Sequence, residues 1–464
     1  MKRAMHLLCL VLAVLMVLGL AACNNTPAGG TEPGNEPTTG GTANNPYGID
    51  FGGKTIKVAV WYEPEIPMLG NSDSEDAWYY SLKNACEAYN CKIEWIVDTQ
   101  DNHFAKFIQK SLSGESYADI MMCHSWNYIS LIQQELILPT TEYVSNASDA
   151  EHWESELYNV FGENWGLQPK SQNRMPIYYY LVNTKVLNSL GLEHPQELVR
   201  RGEWTWEKFR EYCAAATDPA LERYGVGPFN LNIMLQNTND FETAYVGEDG
   251  VYYNAFTHED TKQRGLEILE FMEDLAWEDK SVLPGWVAGQ ESSQETLNAF
   301  KDGRLLFAFV SDVSSLKKSG FEDYSVVTAP IGPSGTQITD TVEAFAFWSL
   351  PKYSNYDPED LAMFWMEAKR IWDPEDEEGY YEEDLDDRID ELLNKSFQSR
   401  ADVEFLFEMG SKIPQYPIIA LRTGSLVADD LFGAVLRGDT TPAAAIDATA
   451  GELQAIIDAT YNNK

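Results

Sequence analysis

Hydrophobic and polar positions follow two different periods along the chain and predict strands and helices in turn. Residues 56–61 alternate between apolar and polar side chains, as a strand does, whereas the apolar residues of 77–88 recur at helical spacing. Residues 91–97 indicate a second strand, 104–112 an amphipathic helix and 119–123 a third strand. This order is typical of a parallel sheet flanked by helices.

The same alternation continues towards the C-terminus. Thr205 is positioned to cap one helix, and Thr441 followed by Pro442 is positioned to begin the last one. Further strands are predicted at 177–182, 305–310, 326–329 and 343–350. Because 464 residues exceed one ordinary domain, the pattern predicts an α/β fold of two lobes with mostly parallel sheets.

The N-terminus has the features of an export signal. Lys2 and Arg3 precede the apolar run 7–18, and Leu20-Ala21-Ala22 places small residues before Cys23. The run is short for a membrane span, and a polar tract follows it. This segment resembles a bacterial lipoprotein signal, which implies removal of residues 1–22, acylation such as palmitoylation of Cys23, and anchoring to the outer face of the cell membrane.

A flexible linker is predicted between the anchor and the folded body. Residues 24–45 contain no large apolar side chain, so the stretch 23–53 is interpreted as the lipidated cysteine and its tether. Outside the cytoplasm Cys86 and Cys91 could form a disulfide, and two buried free thiols fit the sequence equally well.

Composition and charge restrict the partners. The chain has 73 acidic against 33 basic residues, with a formal net charge of -40 and 44% hydrophobic residues. A protein of this composition is globular, and its charge repels nucleic acids and anionic lipid surfaces. Neutral or cationic small molecules remain as ligands.

Residues 48–55 match the phosphate-loop pattern of Gly, four residues and Gly-Lys-Thr. That motif binds phosphate only when a strand precedes it and a helix follows. Here a linker precedes the motif and a predicted strand follows, so we expect no nucleotide site.

Seven short segments carry a family resemblance. They lie at 114–120, 134–139, 182–187 with 190–192, 204–209, 300–306, 329–333 and 436–439. In this order they resemble the extracellular solute-binding proteins of family 1, which include the maltose-binding proteins. Residues 310–313 and 372–410 depart from the family pattern.

The resemblance implies a type II periplasmic-binding-protein fold with the ligand between two lobes. Lobe 1 is expected at 54–178 and 309–346, and lobe 2 at 179–308 and 347–464. It also implies a monomer without enzymatic activity or cofactor, which passes a small solute, most simply a sugar or oligosaccharide, to the permease of an ABC importer. A lipid-anchored glycosidase, or a binding protein for a peptide or polyamine, is the alternative.

Candidate ligand contacts follow or lie on the predicted strands of both lobes. Aromatic faces suit the C–H surface of sugar rings, and carboxylates or amides suit their hydroxyl groups. The candidates are Trp61, Tyr62, Glu63, His124, Trp126, Asn127, Tyr178, Trp286, Asp312, Glu343 and Phe345. Packing within a lobe is the alternative role for Trp61, Tyr178 and Trp286, whereas Trp126 is expected in a polar loop.

The acidic run 373–391 raises the question of a calcium site. Gly379 falls one place late for a calcium-binding loop that starts at Asp373, so a solvated acidic surface is the favoured interpretation. The histidines show no metal-ligand spacing, and no metal is predicted.

Overall fold

Strands and helices alternate along most of the chain, as the hydrophobic pattern predicts. The computed structural model describes residues 45–61, 66–170, 173–284, 290–310, 313–342, 346–371, 384–413, 415–417 and 430–462. The strands are β1 (Lys54–Val60), β2 (Cys91–Val97), β3 (Ile120–His124), β4 (Ile137–Leu138), β5 (Asn159–Val160), β6 (Glu163–Asn164), β7 (Tyr179–Asn183), β8 (Tyr224–Val226), β9 (Ala244–Val246), β10 (Tyr252–Asn254), β11 (Leu305–Ala308), β12 (Tyr324–Thr328), β13 (Asp340–Val342), β14 (Ala346–Pro351) and β15 (Gln415–Pro417).

The α-helices lie between these strands and in the C-terminal part of the chain. They are α1 (Asp73–Ala88), α2 (Gln100–Leu112), α3 (Ser125–Gln133), α4 (Thr141–Ser145), α5 (Thr184–Leu190), α6 (Pro195–Arg201), α7 (Trp206–Ala216), α8 (Leu231–Gln236), α9 (Lys262–Glu273), α10 (Gln290–Lys301), α11 (Ser314–Lys318), α12 (Pro358–Lys369), α13 (Leu385–Lys395), α14 (Arg400–Gly410) and α15 (Pro442–Ile457). Both predicted caps are confirmed: the side chain of Thr205 accepts from the amide of Lys208, and that of Thr441 accepts from the amide of Ala444.

The first sheet has five strands in the order β2-β1-β3-β14-β4. β1 runs parallel to β2 and β3, which the helices α1 and α2 connect. β14 runs antiparallel to β3, and its first residue, Ala346, pairs with His124, the last residue of β3. β14 therefore begins at the edge where β1 and β3 end.

The second sheet has four strands in the order β12-β7-β11-β8. β11 is parallel to β8, but β7 is antiparallel to both β11 and β12. Both sheets are thus mixed, whereas the sequence predicts mostly parallel ones. The reason is that β7 and β14 each enter a sheet at the edge where neighbouring strands end, and the hydrophobic pattern records burial but not strand direction.

The chain moves between the sheets at positions that differ from the expected lobe boundaries. β12 belongs to the second sheet, although the sequence assigns 309–346 to the first lobe. β14 belongs to the first sheet, and α12 packs there through Phe364 and Trp365, although 347–464 is assigned to the second lobe. α14 then returns to the core of the second sheet through Leu406. Apolar strands of both sheets have similar composition, so the sequence does not reveal which sheet each one joins.

The glycines of the phosphate-loop match form a turn that leads straight into a strand. Gly52 and Gly53 have φ angles of 65° and 72°, and Lys54 is already the first residue of β1. No helix follows the glycines, so the backbone amides needed for a phosphate cradle do not converge. The strand after this motif agrees with the element that the sequence predicts there.

The cysteines of the folded body are free thiols. Cys86 is half-buried near the end of α1, and Cys91 is buried at the start of β2. Cys123 and Cys213 are buried as well, and burial raises the pKa of the Cys123 thiol to about 12. Of the two states that the sequence allows for Cys86 and Cys91, the structure contains the reduced pair.

Candidate functional site

An aromatic cluster, called here the first edge, lies where β1 and β3 end and β14 begins. The ring of Trp61, directly after β1, lies 5.7 Å from the imidazole of His124 and 5.5 Å from the ring of Phe104, measured between centroids. Trp61 and His124 are both half-buried. The parallel pairing of β1 and β3 thus brings two predicted site residues together.

Behind Trp61 lies a completely buried histidine that the sequence analysis does not single out. The ring of His103, on α2, is 5.6 Å from the Trp61 ring, and its Nε2 is 3.0 Å from the carbonyl oxygen of Met122 on β3. Burial lowers the pKa of His103 to about 4, so the imidazole is neutral at physiological pH. Its place in an amphipathic helix gives no sequence signal for this role.

The helix α3 starts directly after His124 at the first edge. The sequence predicts a loop for residues 124–127, but Ser125 is the first helical residue, and Trp126 lies in the first turn. Asn127 is half-buried in the same turn. Further along the same helix, Tyr128, Ile129, Leu131 and Ile132 are buried.

A second aromatic group, called here the second edge, lies at one end of the other sheet. Tyr178 precedes β7, and its ring stacks on Phe309, directly after β11, at 5.5 Å and 30°. Phe309 in turn lies 5.7 Å from Phe229, which follows β8. Tyr178 and Phe309 are buried, whereas Phe229 is half-buried. Sequence reasoning missed Phe229, although its position shortly after an apolar strand resembles that of Trp61.

The chain connects the two edges. It leaves the second edge after β12, whose last residue pairs with Tyr179, and it enters the first edge at Ala346. Six predicted contacts lie outside the described residues: Tyr62, Glu63, Trp286, Asp312, Glu343 and Phe345. The structure therefore brings together part of the predicted site, and contact with a ligand remains a prediction.

A cavity of about 780 Å³ lies between the segment that precedes β7 and the helices α13 and α14. Tyr158 and Lys170 line one side, and Ile389 and Phe407 line the other. Its volume is typical of small-molecule pockets. Among the described residues that line this cavity, none is a predicted site residue, and the sequence does not predict the cavity.

The segment that precedes β7, which lines this cavity, is hydrogen-bonded to the end of α14. Arg174 donates from Nη2 to the carbonyl oxygens of Gly410 at 3.0 Å and Ile413 at 2.7 Å. Gly410 leaves no room for a side chain, since a Cβ atom would lie 1.9 Å from the carbonyl oxygen of Arg174. This close backbone approach holds the segment that leads into β7 against the end of α14.

Glu242 is a half-buried carboxylate whose charge acts on Tyr461 near the C-terminus. It precedes the hairpin of β9 and β10, and Asn254 in this hairpin donates from its amide nitrogen Nδ2 to the carbonyl oxygen of Ala450 on α15. Burial raises the pKa of Glu242 to about 7. Burial also raises the pKa of Tyr461, with a smaller contribution from the charge of Glu242.

The described part of the acidic run forms the start of α13. Asp384 caps this helix by accepting from the amides of Asp386 and Asp387, and Arg400 pairs with Asp386 at 2.9 Å and with Asp390. Residues 373–383 lie outside the described residues. Among the residues that the structure describes, no three His, Cys, Asp or Glu side chains are grouped to hold a metal ion.

The sequence profile described as "bacterial extracellular solute-binding protein" matches residues 71–363. The chain belongs to this family. It therefore binds a small solute outside the cytoplasm. No curated protein matches the sequence. In the described part of this solute-binding protein, no helix is both long and apolar enough to cross a bilayer.

Solved structures of solute-binding proteins share the two-lobed fold. UspC of M. tuberculosis matches with a TM-score of 0.60 and 14% identity over 87% of this chain and 100% of that one. MalE of Xanthomonas citri matches with a TM-score of 0.60 and 12% identity over 87% of this chain and 98% of that one. An ABC substrate-binding protein of Listeria monocytogenes matches with a TM-score of 0.54 and 16% identity over 88% of this chain and 98% of that one. The type II fold that the sequence predicts is confirmed.

Proposed function

We propose that this solute-binding protein captures a sugar or oligosaccharide between its two sheets and delivers it intact to the permease of an ABC importer. The observation that carries the proposal is that each sheet has aromatic side chains at one end, the first edge and the second edge. The chain between β12 and β14 joins these two edges. Aromatic faces match the C–H surfaces of sugar rings. The similar MalE protein is described as sugar-binding, and the similar Listeria protein was solved with cycloalternan.

The ligand contacts that we propose include residues placed by the structure and residues chosen from the sequence alone. Trp61 and His124 represent the first edge, with Trp126 and Asn127 on the first turn of α3. Phe229 is added at the second edge because it is half-buried, whereas the stacked ring of Tyr178 is buried. The sequence-derived contacts are Tyr62, Glu63, Trp286, Asp312, Glu343 and Phe345. Their carboxylates would accept hydrogen bonds from sugar hydroxyl groups.

A thermal-shift screen tests the solute class. The purified protein is heated with separate panels of glycans, amino acids, peptides and polyamines, because a ligand that binds only the folded state raises its stability by mass action. We expect a concentration-dependent rise in Tm with at least one glycan. A shift only with polyamines or peptides would replace the sugar by that class, and conversion of a bound glycan into shorter products would establish a glycosidase.

Two matched substitutions test the position of the site. Trp126→Ala should weaken glycan binding while leaving stability nearly unchanged, because a stacked ring contributes about 0.5–1.5 kcal/mol beyond its buried area. Leu136, which is 3% exposed, serves as the control. Leu136→Ala should lower the free energy of unfolding by about 2–5 kcal/mol and leave the affinity of the remaining folded protein unchanged. Equal affinity of Trp126→Ala and wild type by calorimetry removes Trp126 from the site.

Binding should also close the two lobes onto the solute. A solute that contacts both edges binds the closed arrangement more tightly, and this difference drives closure. Small-angle scattering with a glycan from the screen should therefore give a smaller radius of gyration at saturation. An unchanged radius, together with unchanged distances between one fluorescent label on each lobe, contradicts closure.

The protein is proposed to work as a monomer tethered to the outer face of the membrane through lipid on Cys23 and the linker up to residue 53. Two or more acyl chains hold a protein firmly, whereas one binds only marginally. Cys23→Ser should abolish metabolic lipid labelling and leave the thermal unfolding of the body unchanged. Labelling that persists in this variant refutes the anchor.

A further inference from the structure

The hydrogen bond of His103 determines which of its ring nitrogens carries the hydrogen. His103 is 0% exposed, and its Nε2 lies 3.0 Å from the carbonyl oxygen of Met122. A carbonyl oxygen can only accept, so Nε2 is the donor and Nδ1 keeps a lone pair. Within the described part of the chain, Nδ1 has no hydrogen-bond partner. Among the described residues, the only hydrogen bond of the imidazole is therefore the one from Nε2 to β3.

An imidazole at this place is unfavourable for packing alone. A buried nitrogen without a partner loses its hydration, and a phenylalanine of similar size would avoid that loss. The imidazole adds a directional contact, since the bond from Nε2 to Met122, together with the attachment of the side chain to α2, restricts the orientation of the ring. Met122 lies on β3, next to the strand that ends before Trp61.

The fixed ring meets Trp61 edge to face. The two rings lie 5.6 Å apart with an interplanar angle of 64°, and the Phe104 and His124 rings contact the same tryptophan at 5.5 and 5.7 Å. Edge-to-face pairs favour one relative orientation, so a fixed His103 restricts the orientation of Trp61. The half-buried Trp61 ring is thus held from behind while part of it remains accessible.

We infer that His103 is a positioning residue that holds the Trp61 ring in its orientation at the first edge through the bond to Met122. This inference rests on the proposed function, because the orientation of Trp61 affects solute binding only if Trp61 contacts the solute. Tyr117 offers a matched control: it is also buried, its ring lies 5.7 Å from His103, and its hydroxyl has no partner in the described part of the chain.

The first experiment reads the orientation of Trp61 without any solute. The full chain is labelled with 5-fluorotryptophan, and the fluorine resonance of Trp61 is assigned by its loss in Trp61→Phe. In His103→Phe, which keeps an aromatic ring but loses the bond to Met122, this resonance should shift or broaden more than those of the other tryptophans. In Tyr117→Phe it should stay in place. A Trp61 resonance that is unchanged in folded His103→Phe overturns the inference.

A second variant covers the case that His103→Phe does not fold. His103→Gln keeps a donor for Met122 but removes the ring, so the Trp61 resonance should shift here too. If it does not, the inference is likewise overturned.

The second experiment connects the orientation to binding. Each glycan that raises the Tm of the wild type in the thermal screen is titrated into His103→Phe and Tyr117→Phe. We expect the affinity of His103→Phe to fall about two- to tenfold, the range of one aromatic pair, with the affinity of Tyr117→Phe unchanged. A shifted Trp61 resonance with unchanged affinity overturns the functional part of the inference. Absence of any glycan response in the wild type instead contradicts the proposed function, and the fluorine measurement still decides whether His103 holds Trp61.

Discussion

The ion cluster around Arg370 lends itself to a quantitative test of what fixes α12 to the first sheet. Arg370 donates to both carboxylate oxygens of Asp149 at 2.7 Å and to Glu367 at 2.6 Å. The side chains of Arg370 and Asp149 are each 10% exposed, and that of Glu367 is 0% exposed. Substitution of Arg370 by Met, which keeps the length and the apolar stem, leaves two buried carboxylates without their common cation.

The expected loss is large because the carboxylates stay buried. Removing one partner of a buried ion pair costs about 3–5 kcal/mol, far more than the 0–1 kcal/mol of an exposed pair. Arg370→Lys keeps the charge but cannot donate to both oxygens of Asp149 in parallel, so we expect a smaller loss of about 1–3 kcal/mol. The order of stability should be wild type, Arg370→Lys and Arg370→Met.

Urea unfolding measured by tryptophan fluorescence and circular dichroism gives these differences, provided that the two probes report coincident transitions. The double variant Arg370→Met with Asp149→Asn removes one of the stranded charges and should recover part of the loss. A loss below about 1 kcal/mol for Arg370→Met would show that water reaches the cluster and would refute the reasoning.

Two further substitutions test backbone contact and pH dependence. Gly410→Ala should lower the free energy of unfolding by about 1–3 kcal/mol, because the new methyl group would meet the carbonyl oxygen of Arg174 at 1.9 Å; an unchanged Tm contradicts this close approach. Burial raises the pKa of Glu242 to about 7, above its value of about 4.3 in the unfolded chain, so the folded state binds more protons between these values. The stability that Glu242 contributes is complete below about pH 4.3 and is lost as the pH rises through about 7. Glu242→Gln removes this pH-dependent loss, so the variant should be more stable than wild type at pH 8 by up to about 3 kcal/mol. If the stability curves of the two proteins run parallel from pH 5 to 8, Glu242 is ionised throughout this range.

Local features of the fold could be predicted from the sequence because neighbouring residues determine them. The alternation at 56–61 gives β1, and the caps at Thr205 and Thr441 fix the starts of α7 and α15. Burial periodicity and capping act within one turn or one strand, so they appear in the order of residues. The family resemblance predicted the two-lobed type II fold, which the matching profile and the solved structures confirm.

The candidate site was predictable only in part. Trp61 and His124 could be paired from sequence, because each follows or ends a strand of one parallel sheet whose strand ends meet at one edge. Phe229 could have been chosen from its position shortly after the apolar strand β8, but His103 and Glu242 were not predictable. Their roles depend on which rings and carbonyl groups arrive from distant parts of the chain, and no local pattern encodes such neighbours.

The sequence by itself determined the longer strands and several helices, the family and the acidic, extracytoplasmic character of this protein. The tertiary structure alone decided that β12 joins the second sheet, that β14 and α12 return to the first, and that β7 runs antiparallel to its neighbours. Strands of equal apolar content can pair in several sheets and in either direction. The choice depends on packing and hydrogen bonding between segments more than a hundred residues apart, as between His124 and Ala346.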